Sequence, residues 1–195
     1  GGRMSSNNIK RLQEDDLTQM HLGDMQTLGL KANVAVMQAL QLQIDSLEKV
    51  LAKHCRAEPG FRLLKTVDGI GDVLATVILL ETGSIERFVD VGNYASYCRC
   101  VGSTHVSNGK KKGEGNTKNG NRYLAWAFVE AANFAVRYCA AARRFYQKKK
   151  AKRNSTVAIK AVAHKLARAC YHILKNKEAF CVERCFATEP MKKAA

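Results

Sequence analysis

From Leu30 onward the chain reads in sevens. Leu30, Met37, Ile44 and Leu51 stand seven residues apart, and Asn33, Leu40 and Leu47 fill the alternate seam positions. Apolar residues repeating in this way predict a coiled-coil helix over 30–56, with Asn33 the kind of polar seam residue that sets register. The same stripe also suits a helix packed on its own domain. Pro59-Gly60 marks its end. Ahead of it, residues 1–29 lack a period and read as a loop segment, with a short helical stretch near Leu17–Leu22. Glu14, Asp15 and Asp16 in that segment read as caps or solvated charge rather than as metal ligands.

Past the proline, two helical patterns flank Gly69-Ile70-Gly71. This predicts a helix-hairpin-helix over 61–82. Gly69 would allow the tight turn, and Gly71 would leave amides at a helix start open to a phosphate. An αα-corner whose glycines serve only packing is the other reading. Val89–Tyr97 predicts a short helix begun by Asp90. Residues 98–120, rich in Gly, Asn, Ser and Lys, predict a loop. Asn121–Gln147 reads as one long helix, which the basic run Lys148–Arg153 would break or cap. Ser155–Lys175 gives the last helix, with Val157, Ala161, Leu166, Cys170, Ile173 and Leu174 on its apolar side. The fold class is therefore mainly α: a coiled-coil arm followed by a helical domain with a helix-hairpin-helix and a Gly/Lys-rich loop. The segments are 1–29, the arm at 30–56, the domain at 57–180 and a tail at 181–195.

Charge then changes the picture. The 195 residues carry a formal net charge of +15. Residues 1–98 hold 10 basic and 12 acidic side chains, whereas residues 99–177 hold 19 and 2. A merely solvated surface mixes both signs; a block of net +17 is the footprint of a polyanion-binding face. The near-neutral first half argues against a ribosomal-type scaffold, which would be basic throughout. No apolar run is long enough to span a bilayer. Seven cysteines, an odd number in helical settings without a secretory signal, read as reduced thiols of a cytoplasmic protein. Cys98 and Cys100 with Cys181 and Cys185 lack the usual Cys-xx-Cys zinc spacing, so no metal site is assigned.

The chemistry concentrates in Gly102–Arg122. Hydroxyls sit in a glycine-loosened stretch beside Lys110, Lys111 and Lys112, and a helix N-terminus follows at Asn119–Asn121. Phosphoryl transfer to a hydroxyl asks for an exposed oxygen with cations and helix-end amides around the phosphate. Ser107 and, as a second choice, Ser103 are serine hydroxyls in that stretch, and His105, two residues before Ser107, is a candidate base if the stretch is extended. Arg99, Lys110, Lys111, Lys112, Lys118 and Arg122 would meet phosphates first, with Lys160 and Arg168 on an outer track.

From Phe61 to Phe180 the sequence resembles the C-terminal transposase domain of the insertion sequence 110/116/902 transposase family. The matching pieces include Val67-Asp68-Gly69-Ile70-Gly71, Leu80-Glu81-Thr82-Gly83, Arg87-Phe88, Tyr94–Gly102, Ser107–Gly113 and Asn116–Asn121. They continue through Tyr123–Ala127 and Ala158–Ala167. The resemblance implies a DNA transposase or recombinase in which Ser107, the serine before Asn-Gly, attacks a phosphodiester and forms a covalent phosphoserine link. It implies that Mg²⁺-binding carboxylates belong to a separate N-terminal RuvC-like domain, which these residues do not supply. On that account the chain alone would not cleave DNA. It implies a structured bridge RNA that chooses the DNA sites, homo-oligomers formed through the coiled coil, and a prokaryotic, nucleoid-associated location. A non-catalytic helix-hairpin-helix module that binds DNA or RNA is the rival reading.

Overall fold

In the computed structural model the described residues are Leu12, Asp16 and positions 23–102, 104–114 and 119–187. The chain divides into two compact units, Gly1–Lys53 and His54–Ala195. The first is dominated by α1 (Asp24–Ala57), a helix of 34 residues whose last turn belongs to the second unit. It starts six residues before the predicted arm and runs through Gly29. A single interior glycine costs a helix only about 1 kcal/mol, which its neighbours here offset. Met37, Leu40, Ile44, Leu47 and Leu51 are all exposed along it, while Val34 is buried.

Among the described residues the regular elements of the second unit are helices and one hairpin. α2 (Pro59–Leu64) begins with proline in its first turn, and α3 (Asp72–Thr82) follows after a turn through Gly69. A 3-10 turn at Ile85–Arg87 leads to α4 (Val91–Tyr97), whose N-cap Asp90 accepts from the Asn93 amide at 2.7 Å. The strands β1 (Thr104–Ser107) and β2 (Lys110–Glu114) come next, then α5 (Arg122–Tyr138), α6 (Ala140–Lys152), α7 (Ser155–Asn176) and α8 (Val182–Phe186). α7 is the central element and packs on α2, α4, α5, α6 and α8. Its buried side is Ala158, Val162, Ala163, Leu166, Ala167, Cys170, Tyr171 and Ile173. Val157, expected inside, is exposed. Small alanines on α5 and α7 let those two helices approach closely around Leu124, Phe128 and Leu166.

Two boundaries differ from expectation. The long helix predicted over 121–147 breaks at Cys139, which is buried in an extended conformation. Arg143 then reaches back to the Val136 carbonyl at 3.0 Å and to the Arg137 carbonyl, giving partners to two acceptors in the last turn of α5. The basic run 148–153 therefore ends α6 rather than interrupting α5. The predicted tail from 181 also contributes to the core, because Phe186 of α8 is buried against Phe145 with ring centroids 5.9 Å apart.

All seven cysteines are free thiols. Burial pushes the Cys98 thiol well above its ordinary range and the Cys100 and Cys185 thiols up to about 12. Such thiols stay protonated and unreactive at neutral pH. No helix among the described residues is long and apolar enough to cross a membrane.

Inside the core, the fully buried Thr82 hydroxyl meets the Tyr94 hydroxyl at 2.9 Å. The Tyr94 ring stacks edge-on to Phe88 and Phe128. Tyr94→Phe keeps those ring contacts but strands the Thr82 hydroxyl. Urea unfolding should therefore show a loss of about 1–2 kcal/mol, much of it recovered in the double variant with Thr82→Val.

Candidate functional site

The Gly/Lys-rich segment folds as an antiparallel hairpin, not a loop. Thr104 pairs with Glu114, His105 with Gly113, Val106 with Lys111 and Ser107 with Lys110. Asn108 (φ 56°) and Gly109 (φ 73°) make the two-residue turn between the strands. Positive φ at both central positions is what a type I′ turn requires, and Asn-Gly adopts it at little cost. The register shifts between His105 and Val106, so Lys112 is the extra residue of a bulge on β2. Ser107 therefore lies one residue from the hairpin tip, exposed, with exposed Lys110 directly across from it and exposed Lys112 further along β2. Ser103 and Lys118 lie outside the described residues.

Both ends of this segment are fastened to the helical body. The Asn121 amide donates to the Tyr97 carbonyl at 2.6 Å. The Arg99 guanidinium donates to the Gly120 carbonyl through Nε at 3.1 Å and Nη2 at 2.8 Å. Arg99, expected to meet a phosphate, thus also serves as a strut between the incoming and outgoing chain. Asn121 is the hub. Its Oδ1 caps α5 by accepting from the amides of Tyr123 (2.8 Å) and Leu124 (3.0 Å), and its Nδ2 donates to Glu81 Oε2 at 2.6 Å. That Nδ2 also lies 3.4 Å from the Tyr97 hydroxyl. The Arg87 guanidinium covers the rings of Phe88 and Tyr97 at 4.5 and 4.6 Å. The bond from Asn121 and then Arg87 hold the Tyr97 phenol below its usual range. Glu81, Arg87, Tyr97 and Asn121 carried no predicted role. All four lie in motif pieces that carry the family resemblance, and Asn121, at the start of an apolar helix, also reads as a cap.

Gly120 makes this joint possible. It has φ +88°, and a Cβ there would overlap the Tyr97 carbonyl oxygen. Gly120→Ala should cost about 2–4 kcal/mol through backbone strain and loss of the Asn121 cap. Faster hydrogen exchange at Tyr123 and Leu124, with the amides of α7 unchanged, would locate the damage at the joint.

The other predicted contacts scatter. Arg122 opens α5, bonds the Tyr123 hydroxyl at 2.8 Å and lies over that ring. Lys111 pairs with Val106 in the hairpin. Lys160 and Arg168, eight residues apart on α7, line different clefts. Lys160 shares one of about 480 Å³ with Asn133, Arg137 and Tyr146. Arg168 shares one of about 350 Å³ with Lys165, His172 and Arg184. Burial first, then nearby cations, keep the His164 and His172 imidazoles below their ordinary pKa. Lys165 is drawn inward, its Nζ donating to the Cys185 carbonyl at 2.7 Å.

The two glycines of the 61–82 segment separate in role. Gly69, φ +99°, is pressed against α5, where a Cβ would come within 2.6 Å of the Ala131 oxygen and 2.7 Å of the Ala135 nitrogen. Gly71 caps α3 with open space around it. Beside it, the Asp72 carboxylate is held below the usual range, chiefly by its bond to Lys65 Nζ at 2.6 Å, with Arg56 at 3.5 Å. An internal anion therefore already occupies the first turn of that helix. Among the described residues no three His, Cys, Asp or Glu side chains converge where a metal ion could be held. The Mg²⁺ implied by the resemblance thus has no fitting donor set among them.

A probable family 20 transposase of Pseudomonas aeruginosa is 26% identical over 148 residues, which cover 74% of this chain and 44% of that protein. The chain thus spans less than half the length of the curated relative it matches. The family model for the transposase IS116/IS110/IS902 family matches positions 61–147, a stretch that runs from α2 through the hairpin and α5 into α6. Over residues 61–147, less than half of the chain, the sequence is thus similar to that family.

Proposed function

We propose that this chain supplies the serine nucleophile and much of the nucleic-acid-binding surface of a DNA transposase. The observation that supports this reading is the placement of Ser107. It stands exposed beside a type I′ turn, across from Lys110, on a hairpin whose two ends are tied to the body through Arg99, Gly120 and Asn121. A hydroxyl exposed beside the turn of a cationic hairpin can approach a phosphate that a buried one could not. In the reaction, Ser107 Oγ bonds to phosphorus and its proton passes to solvent or a base. One phosphorus–oxygen bond to a deoxyribose breaks, and that sugar oxygen leaves as a hydroxyl. One phosphodiester is exchanged for another, so the bond energy is kept for strand joining.

In this reading DNA is the substrate and a bridge RNA selects the sites, which asks of the protein a basic surface that tracks backbones rather than one shaped to read bases. The metal-binding carboxylates come from a RuvC-like domain outside these 195 residues. The exposed apolar residues of α1 are the seam through which copies associate. The complex works in the cytoplasm, at the nucleoid.

The test is covalent trapping. The chain is combined with the acidic domain of its relatives, matched RNA, Mg²⁺ and labelled DNA, and the products are resolved on a denaturing gel. Mass spectrometry of the nuclease-trimmed adduct should place a nucleotide on the peptide containing Ser107. Tight, salt-sensitive binding with no adduct would favour the non-catalytic binding module instead.

A further inference from the structure

One face of α5 plays no part in the hairpin chemistry. Tyr123, Trp126, Phe134 and Tyr138 are 49%, 48%, 39% and 73% exposed. At 100° per residue they fall within an arc of about 120°, opposite the buried Phe128 and Ala132, and they extend over about 22 Å of helix. Phe134 and Tyr138 present nearly parallel rings, 9° apart in plane with centroids separated by 6.4 Å. A soluble helix rarely leaves four aromatic rings in water without a partner.

The charges around the rings say what that partner is. Arg122 lies at 4.8 Å over the Tyr123 ring, and Arg137 is exposed on the same face beside Tyr138. Arg143 brings its guanidinium back to the Val136 and Arg137 carbonyls at the same end. The acidic residue on this face is Glu130, which is half-buried. A helix meant for another helix would present branched aliphatics. Aromatic planes with arginines at both ends are a surface that unpaired bases on a phosphate backbone recognise.

We propose that this face of α5 is a stacking platform for single-stranded DNA. The choice of DNA rests on the transposase reading above; the stacking itself rests on the exposed rings. Strand exchange leaves bases unpaired near the cut, and a platform on the same body as the hairpin would hold them apart from their complement.

Trp126 is the single tryptophan of the chain, so its fluorescence reports on this face alone. The 195-residue protein is titrated with dT12, rU12 and a 12-base-pair duplex, reading tryptophan emission and the anisotropy of labelled strands. We expect dT12 to quench Trp126. Trp126→Ala and Tyr138→Ala should each weaken dT12 binding about tenfold or more while changing duplex binding less than twofold. Both positions are exposed, and unchanged circular dichroism would show the fold intact. Several results would overturn the proposal: no quenching, equal losses for dT12 and duplex, tighter binding of rU12 than dT12, or variants that alter sedimentation but not dT12 affinity. Because no covalent step is read, failure to trap an adduct on Ser107 would leave this result standing, and the reverse holds too.

Discussion

Ser107→Ala is expected to remove the covalent protein–DNA adduct, a loss of at least about a thousandfold in its rate of formation. The substitution deletes one oxygen and leaves everything that places it. The turn is made by Asn108 and Gly109, and residue 107 joins the ladder through its backbone opposite Lys110. Alanine therefore keeps the register. Affinity for DNA should stay within about twofold, since a neutral hydroxyl releases no counterions. Lys110→Ala should behave in the opposite way, weakening binding and lowering the salt slope by about one while adducts still form at saturating DNA. Quantitative gels over a salt series separate the two effects. An adduct that survives in Ser107→Ala would move the nucleophile elsewhere, and Ser103 would be the next residue to replace.

How much of this was legible beforehand varies from element to element, for physical reasons. The caps at Asp90 and the helices over 91–97 and 155–176 were readable, because each depends on a side chain and a period local to it. The hairpin was readable in principle. Asn108-Gly109 is a strong local turn signal, but its flanks lack the alternating apolar residues that normally announce strands. A lysine-rich ladder held by its turn, and by clamps at Arg99 and Asn121, has no hydrophobic pattern to betray it. The break at Cys139 was not readable, because alanine and arginine dominate the sequence there and no glycine or proline interrupts it. Only the tertiary arrangement, with Cys139 buried and Arg143 turned back onto α5, shows why the chain leaves one helix and starts another. The joint of Glu81, Tyr97 and Asn121 joins residues up to 40 positions apart, a distance at which no periodicity carries information. Coiled-coil spacing over 30–51 predicted a helix, and α1 runs through that stretch with Met37, Leu40, Ile44, Leu47 and Leu51 exposed.

Gly69→Ala should be the most damaging single-methyl change in the helical unit. The two readings of its motif, phosphate contact and helix packing, make different forecasts for this position. In the structure Gly69 combines φ +99° with backbone neighbours on α5 at 2.6 and 2.7 Å from where a Cβ would sit. Backbone atoms of a packed helix cannot rotate aside as a side chain can. A methyl there must lever the turn away from Ala131 and Ala135, opening the contact between α3 and α5 that buries Leu74, Ile78 and Phe128. Strain at positive φ and the lost packing together amount to about 3–5 kcal/mol. Gly71→Ala is the matched control. Its φ is −88° and a Cβ would meet nothing within 4 Å, so stability should change by less than about 1 kcal/mol and can rise as the unfolded chain loses freedom. Urea midpoints at constant m-value measure both. If Gly69→Ala instead proved nearly neutral in stability while nucleic-acid affinity fell, the turn would be a phosphate-binding element. The tight approach to α5 would then be a packing detail that the protein can relax.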